Sequence, residues 1–503
     1  MLFNSLNFFV FFPIVVIIYF LFPHKIRYIW LLFTSYFFYM CWNPIYALLL
    51  LSSTLISYFS ALMIEGVRIL FKGEDDYNIK KRKVAMNLVV AFSFIVNLGT
   101  LFFFKYFQFF IDSVNVLLKN MHVQLIQPGF DIVLPVGISF YIFQALSYTM
   151  DIYRGEVEVE KNVFRYAVFV SFFPQLVAGP IERSTNLLHQ FRERKYFDYA
   201  RVRDGLLLMI WGLFQKIVLA DRIAVVVNQV FDYYSYYSGM YMVIAAVLFA
   251  FQVYCDFAGY SNIAIGSAQV MGFTLMKNFD CPYFSRSVTE FWRRWHISLS
   301  SWFKDYLYIP LGGNRKGKVR KYINLMIVFL CSGLWHGANW TYIIWGALNG
   351  VYQVFGQMLK NIKKKVVDRL GIKQNVFSSK LLQVVITFIL IDFAWIFFRA
   401  SSLTNAIGYI ERMFAVYNPW ILFDGSLFNL GLSQTEFKIA LFAIAVLLFV
   451  DVLHYKGFQI RRFLSEQQVW FKWCIYIVAV CVLLVFGTYG PEYDASQFIY
   501  FQF

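Results

Sequence analysis

Long apolar runs separated by short basic loops recur along the whole chain, and they constrain its fold more than any other feature. The chain is 60% hydrophobic and only 15% charged, whereas a soluble domain is about 45–50% apolar and about 25% charged. The runs are continuous and lack the alternation of a membrane β-strand. The sequence therefore predicts an all-α, polytopic transmembrane bundle, because a helix satisfies its own backbone hydrogen bonds in lipid.

The hydropathy pattern predicts about eleven spans, together with re-entrant or interfacial helices, in one integral membrane domain covering residues 1–503. Pro174 and Gly179-Pro180 indicate that the apolar segment Val163–Gly179 is broken or re-entrant. The net charge of +16 lies mostly in the loops between runs. This distribution orients a membrane protein among its lipids and does not indicate nucleic acid as a partner.

The remaining sequence features exclude several kinds of site. The six cysteines are scattered in or beside apolar segments without a CxxC motif, so we interpret them as packing residues and predict no metal site and no bound cofactor. The sequence lacks a GxSxG elbow, a Walker loop and an HExxH motif. Asp256 and Asp392 lie in apolar runs, where single acids more often satisfy a neighbouring helix than relay protons.

The stretch Ser285–Trp340 concentrates the residues that could perform chemistry, with two of the six histidines and five of the thirteen tryptophans. Apolar residues recur every three or four positions from Val288 to Tyr306, which predicts one amphipathic helix. A polar stripe on this helix consists of Arg293, His296, Ser300 and Lys304. The stripe either holds a phosphate-bearing donor or belongs to an interfacial helix with tryptophan anchors.

His336 lies in GLWHGANW, between two apolar runs. The preceding run, Ile323–Leu334, has twelve residues and covers roughly 18 Å as a helix, well short of the ~30 Å hydrocarbon core. We therefore predict that the turn at His336 lies at membrane depth. A neutral imidazole there can accept a proton from a hydroxyl nucleophile, and the alternative is a structural histidine bonded to a backbone carbonyl.

Six segments, spread in order over most of the chain, together resemble the membrane-bound O-acyltransferase (MBOAT) family. The resemblance is to the bacterial branch that acetylates exported polysaccharides such as alginate, and the branch that D-alanylates teichoic acid is a relative. Asn262 and Ala258 depart from the branch pattern, where we expect Asp and Ser. The segments are LPVGISFYIFQALSYTMDIYRG, FFPQLVAGPI, DFAGYSNIAIG, FWRRWHISLSSWFKDYLYIPLGGNR, GLWHGANWTYIIWG and FIYFQF.

The resemblance implies a helical bundle with a funnel through which an acyl thioester reaches the core from the cytoplasm. It implies that His336 is the catalytic histidine and His296 a second functional histidine. It further implies a multi-pass protein of the bacterial inner (cytoplasmic) membrane, with a polysaccharide acceptor. The partner would be an extracytoplasmic SGNH/GDSL-like acetyltransferase that completes delivery to this polymer.

On this basis we expect acetyl-CoA as the donor, with His336 acting as general base or as transient acyl acceptor. Tyr500 in the C-terminal aromatic run either relays an acyl group to the partner or only docks into the bundle. The alternative functions are D-alanyl transfer to teichoic acid from a carrier protein, and transport without chemistry. The residues expected to bind substrate or to wall its tunnel are Arg293, Trp292, Trp295, Trp335, Ser300 and Lys304.

Overall fold

The computed structural model describes residues 1–127, 129, 133–177 and 179–489. Within these ranges the regular structure is entirely helical, which confirms the predicted all-α class. The chain divides into two compact units. Unit 1 consists of Met1–Leu206 and Ala264–Met276, and unit 2 of Leu207–Ile263 and the chain from Lys277 onward. The assignment of the chain to a single domain stays a prediction.

The first nine helices belong to unit 1. They are α1 Leu6–Leu21, α2 His24–Met40, α3 Tyr46–Leu70, α4 Asp76–Leu101, α5 Phe107–Asn120, α6 Ile138–Arg154, α7 Val163–Ser171, α8 Phe173–Leu176 and α9 Ser184–Leu187. The predicted break in the segment Val163–Gly179 is confirmed, because α7 ends at Ser171 and Phe172 leaves the helical conformation. Pro174 lies in the first turn of the short α8, where the missing N–H of proline costs no hydrogen bond.

The remaining helices follow in chain order, and α10 and α12 have residues in both units. They are α10 Tyr199–Leu213, α11 Asp221–Asp232, α12 Met240–Met271, α13 Val288–Arg294, α14 Ile297–Phe303, α15 Gly317–His336, α16 Trp340–Met358, α17 Lys360–Arg369, α18 Phe377–Arg399, α19 Leu403–Ala415, α20 Gln434–Tyr455, α21 Ile460–Ser465 and α22 Val469–Phe486. A π-helical turn over Phe214–Ala220 extends α10, and another over Lys304–Tyr308 extends α14.

Six helical segments in the described part of the chain are long and apolar enough to cross a membrane, which confirms a multi-pass membrane protein. They are Tyr46–Leu70, Asp76–Asn120, Met240–Met271, Phe377–Arg399, Gln434–Tyr455 and Val469–Phe486. The larger number of about eleven spans stays a prediction, because each of the other helices is shorter, less apolar or more charged than these six. The basic segment after Leu359 includes the helix α17, whose residues are all exposed or half-buried.

A buried ion-pair cluster accounts for Asp256. The Lys216 ammonium lies 2.5 Å from the Asp256 carboxylate and 2.8 Å from that of Asp221. All three side chains are at most 7% exposed, so each charge needs the others to offset its lost hydration. Asp256 therefore serves helix packing inside unit 2.

Helices α15 and α16 form a tightly packed antiparallel hairpin that positions His336. A Cβ atom placed on Gly333 would collide with the Tyr342 carbonyl oxygen, and one on Gly346 with that of Phe329. Glycines let the two backbones approach more closely than any side chain permits. The hairpin fixes the end of α15, and hence His336, against α16.

Candidate active site

His296 lies at a break between two helices, and the prediction of one helix from Val288 to Tyr306 is wrong. α13 ends at Arg294, and His296 adopts a left-handed conformation with φ 43° before α14 begins. A non-glycine residue rarely adopts this conformation, so its surroundings must hold it. The Ile297 N–H donates to the Asn278 carbonyl oxygen at 2.9 Å, and the Asp280 N–H donates to the Arg294 carbonyl oxygen at 2.9 Å.

Asn278 holds the segment after His296 through its side chain as well. Its Oδ1 accepts a hydrogen bond from Ser298 Oγ at 2.6 Å, and its Nδ2 donates to Ser261 Oγ at 2.8 Å. Asn278 is only 1% exposed, so these bonds form without competition from water. Asn278 is not among the residues predicted from the sequence, because an isolated asparagine carries no periodic or motif signal.

The two histidines lie close together among aromatic rings. His296 is fully buried, with its ring centroid 4.6 Å from that of Phe257 and 6.4 Å from that of His336. Trp335 contacts both imidazoles, at centroid distances of 5.8 and 5.0 Å. Burial lowers the pKa of His296 to about 3, because desolvation disfavours the charged imidazolium. His296 is therefore neutral throughout the physiological pH range.

His336 is the last residue of α15 and is 4% exposed. Its ring meets Trp345 edge-on at 5.0 Å and Phe398 at 5.3 Å. At the following Gly337 a Cβ atom would collide with the Tyr342 ring. The helix has 20 residues, longer than the apolar run alone, so the predicted membrane depth of His336 stays a prediction.

The three tryptophans expected to wall a tunnel have different positions. Trp295 packs inside the aromatic core, stacked on Phe291 at 5.3 Å and 5.1 Å from Trp395, so it is a packing residue and not a wall of either cavity described below. Trp335 lies between the histidines. Trp292 does line a cavity, with its indole N–H donating to Asn349 Oδ1 at 3.1 Å.

A cavity of about 420 Å³, here called the inner cavity, lies beside Trp292 in unit 2. Ser332 on its wall precedes His336 by four residues, so the two side chains share one face of α15. The structure thus brings most of the predicted polar stripe to one cavity despite the helix break, while His296 itself is not among the lining residues. The lining residues predicted from sequence are Trp292, Arg293, Ser300 and Lys304.

A second cavity of about 1030 Å³, the basic vestibule, adjoins the first. Thr289, Arg293 and Gln357 line both cavities. Among the described residues the wall of the vestibule includes six cations and no Asp or Glu. Cations from distant segments converge here, so sequence analysis found their loops but not the vestibule. The six cations are Arg286, Arg293, Lys318, Lys321, Lys360 and Lys363.

The low pKa of His296 predicts a specific loss of stability in acid. The unfolded chain protonates this residue near its ordinary pKa of about 6.5, whereas the folded protein does so only near 3. As the pH falls from about 6.5 towards 3, this group alone should cost about 1.4 kcal/mol of unfolding free energy per pH unit. The gap in unfolding temperature between wild type and His296→Gln should therefore narrow as detergent-solubilised protein is moved from pH 8 to pH 4.5.

His189→Gln provides the control for this measurement, because the His189 side chain is 55% exposed. It should keep the wild-type dependence of unfolding temperature on pH. Parallel curves for wild type and His296→Gln would contradict the burial of a neutral imidazole at position 296.

The chain is similar in sequence to several known proteins. The family model described as "MBOAT, membrane-bound O-acyltransferase family" matches residues 159–403. The chain is 37% identical to a probable alginate O-acetylase of Pseudomonas syringae, over 84% of this chain and 76% of the relative. It is 32% identical to a peptidoglycan O-acetyltransferase of Helicobacter pylori, over 94% and 91% respectively. A teichoic acid D-alanyltransferase of Streptococcus thermophilus is 29% identical, over 46% and 59%.

The family match spans both histidines and both cavities, and the first two relatives match most of the chain. They support enzymatic acyl transfer over transport without chemistry. The chain belongs to the membrane-bound O-acyltransferase family and is an O-acyltransferase.

Proposed function

We propose that this enzyme moves an acetyl group from a cytoplasmic thioester across the membrane for the O-acetylation of an exported polysaccharide. The observation that carries the proposal is the pairing of an apolar-walled inner cavity, one helical turn from His336, with a vestibule of six cations. An anionic thioester donor needs both a charged entrance and a dry reaction space. The acetyltransferase relatives that match most of the chain support acetyl as the group and a polysaccharide as the acceptor.

In the proposed reaction, a hydroxyl oxygen of the acceptor forms a bond to the thioester carbonyl carbon, and the carbon–sulfur bond breaks. His336 takes the hydroxyl proton as general base and returns it to the departing thiolate. Trp345 and Phe398 hold the imidazole ring in place. Exclusion of water by these rings protects the thioester from hydrolysis. The alternative chemistry is attack by His336 itself, with a transient acyl-imidazole.

Acetyl-CoA is the donor that best fits the two cavities. Its phosphates match the vestibule cations, since charge-assisted hydrogen bonds from Lys and Arg to phosphate are strong. Its narrow pantetheine arm suits the inner cavity, with Arg293 on the wall common to both. A carrier protein, the donor in the D-alanyl alternative, would instead dock on the outer surface and leave most of the vestibule unfilled.

The double variant Lys318→Ala/Lys321→Ala tests the donor assignment. Loss of two vestibule cations should raise the KM for acetyl-CoA about 5- to 20-fold and leave kcat nearly unchanged, because binding and not chemistry is weakened. The measurement is transfer of labelled acetyl groups by membranes at several donor concentrations. Lys438→Ala is the matched control, since Lys438 is exposed at the start of α20 and lines neither cavity. An unchanged KM in the double variant would contradict a nucleotide thioester in the vestibule.

The same assay tests the transferase function itself. Wild-type membranes with the acceptor polymer should incorporate acetyl label, and membranes without the protein should not. Absence of protein-dependent label in any acceptor fraction would contradict acetyl transfer from this donor.

The setting proposed for this reaction is the bacterial inner membrane, with the vestibule on the cytoplasmic side where basic segments concentrate. An extracytoplasmic SGNH/GDSL-like acetyltransferase would then complete delivery to the polymer. Tyr500, the hypothetical relay to that partner, lies outside the described residues. Its role as a relay or as part of a docking segment stays open.

A further inference from the structure

We propose that Cys281, Asp451 and His454 form a binding site for a divalent metal ion of the zinc type. Each side chain offers one ligand atom, and the thiol sulfur, carboxylate oxygen and imidazole nitrogen all lie within 4.8 Å of one another. The three residues, here called the Cys281 cluster, belong to unit 2 and line neither cavity. The cluster has no part in the acyl transfer described above.

Two structural elements build the cluster. Asp451 and His454 are three residues apart on α20, so both side chains project from one face of that helix. Cys281 comes from the loop between α12 and α13, where its left-handed backbone with φ 47° turns the chain. Its sulfur lies 3.4 Å from the Asp451 carbonyl oxygen, and the Tyr254 hydroxyl donates to Asp451 Oδ2 at 3.1 Å. This hydrogen bond fixes the carboxylate, as partners of metal-binding groups commonly do.

The ligand set selects zinc over harder ions. Thiolate and imidazole favour zinc and cobalt, whereas magnesium and calcium require mainly oxygen ligands. In a tetrahedral zinc site the ligand atoms are about 3.3–3.6 Å apart, which follows from zinc–ligand bonds of about 2.0–2.3 Å. Side-chain rotations that move the ligand atoms by about 1 Å would bring the cluster to that geometry. Water can occupy a fourth position, because His454 is exposed at the edge of the cluster.

The charges of the ligands balance that of a dication. A thiolate and a carboxylate supply two negative charges, and the imidazole is a neutral ligand. Lys277 and Arg461 also lie near His454. The Lys277 ammonium is paired with the Asp280 carboxylate at 2.5 Å, which offsets its repulsion of a metal.

A bound ion would connect α20 to the segment that holds His296. Asn278 and Asp280, just before Cys281, make the backbone bonds on either side of the His296 turn. Metal occupancy should therefore stiffen that turn and raise the unfolding temperature. The binding proposal itself does not depend on the proposed acetyl transfer. The sequence does not indicate this site, because Cys281 and Asp451 are 170 residues apart and form no motif.

Cobalt titration of the purified, metal-free full-length protein in detergent tests the site. One equivalent of Co²⁺ should produce a thiolate-to-cobalt charge-transfer band in the near ultraviolet. Cys281→Ser should abolish that band, and Cys474→Ser, which removes an exposed thiol of α22, should leave it unchanged. His454→Gln alters an exposed side chain, so it should fold normally and weaken cobalt binding by at least about tenfold.

Thermal unfolding with and without zinc supplies a second readout. Zinc should raise the unfolding temperature of wild type and Cys474→Ser but not that of Cys281→Ser. The proposal is overturned if wild type shows no thiolate band, or if the band survives Cys281→Ser. If zinc stabilises all the variants equally, zinc binds at another site and the proposal is likewise overturned.

Discussion

Replacing His336 with alanine is expected to lower the rate of acetyl transfer about 10²–10⁴-fold, the contribution typical of a positioned general base. The loss follows because the imidazole at the end of α15 has no neighbouring histidine that can replace it: the His296 ring centroid is 6.4 Å away and that ring is fully buried. The measurement is incorporation of label from acetyl-CoA by membranes containing equal amounts of each protein. If His336→Ala transfers acetyl groups at the wild-type rate, His336 takes no part in the chemistry.

Two controls separate chemistry from folding in this experiment. His336→Gln keeps a polar side chain of similar size against Trp345 and Phe398, so it should retain the wild-type unfolding temperature while remaining as inactive as His336→Ala. His189→Ala, at an exposed position of unit 1, should keep full activity. Rapid acid quenching distinguishes the two roles of His336, since only an acyl acceptor leaves label on the protein before the polymer is added.

Gly346→Val is expected to destabilise the enzyme by about 1–3 kcal/mol and to abolish most of its activity. The valine side chain would enter the space occupied by the Phe329 carbonyl, and overpacking of a close helix interface costs this much. Forcing α16 away from α15 would also move Trp345, which contacts His336. Thermal unfolding and acetyl transfer of the purified variant measure the two effects.

Gly99→Val is the matched control, because it places the same β-branched residue in helix α4 where a Cβ atom meets nothing within 4 Å. The substitution at Gly99 changes the intrinsic helix propensity in the same way as the substitution at Gly346, but it displaces no neighbouring atom. The control should unfold close to wild type and keep its activity. Similar losses in both variants would show that helix preference, and not the α15–α16 contact, sets the effect.

The stretch chosen from sequence, Ser285–Trp340, does contain the two histidines and part of the walls of both cavities. Four of its six expected substrate-contacting residues line the inner cavity. These four residues face the same space even though His296 breaks the helix between them, and their role in binding substrate stays a prediction. Trp295 and Trp335 line neither cavity, so their role as tunnel walls stays a prediction. Periodicity shows that a residue is apolar but not whether it faces a cavity or a core.

The sequence by itself determined the membrane class, the broken segment at Pro174 and the family, because hydropathy, proline geometry and motifs are properties of contiguous residues. Only the tertiary structure decided the left-handed turn at His296, since Asn278 holds it by hydrogen bonds from a different part of the chain. The basic vestibule and the Cys281 cluster likewise join residues from separate helices. Their formation depends on packing between distant segments, and that packing leaves no local pattern in the sequence.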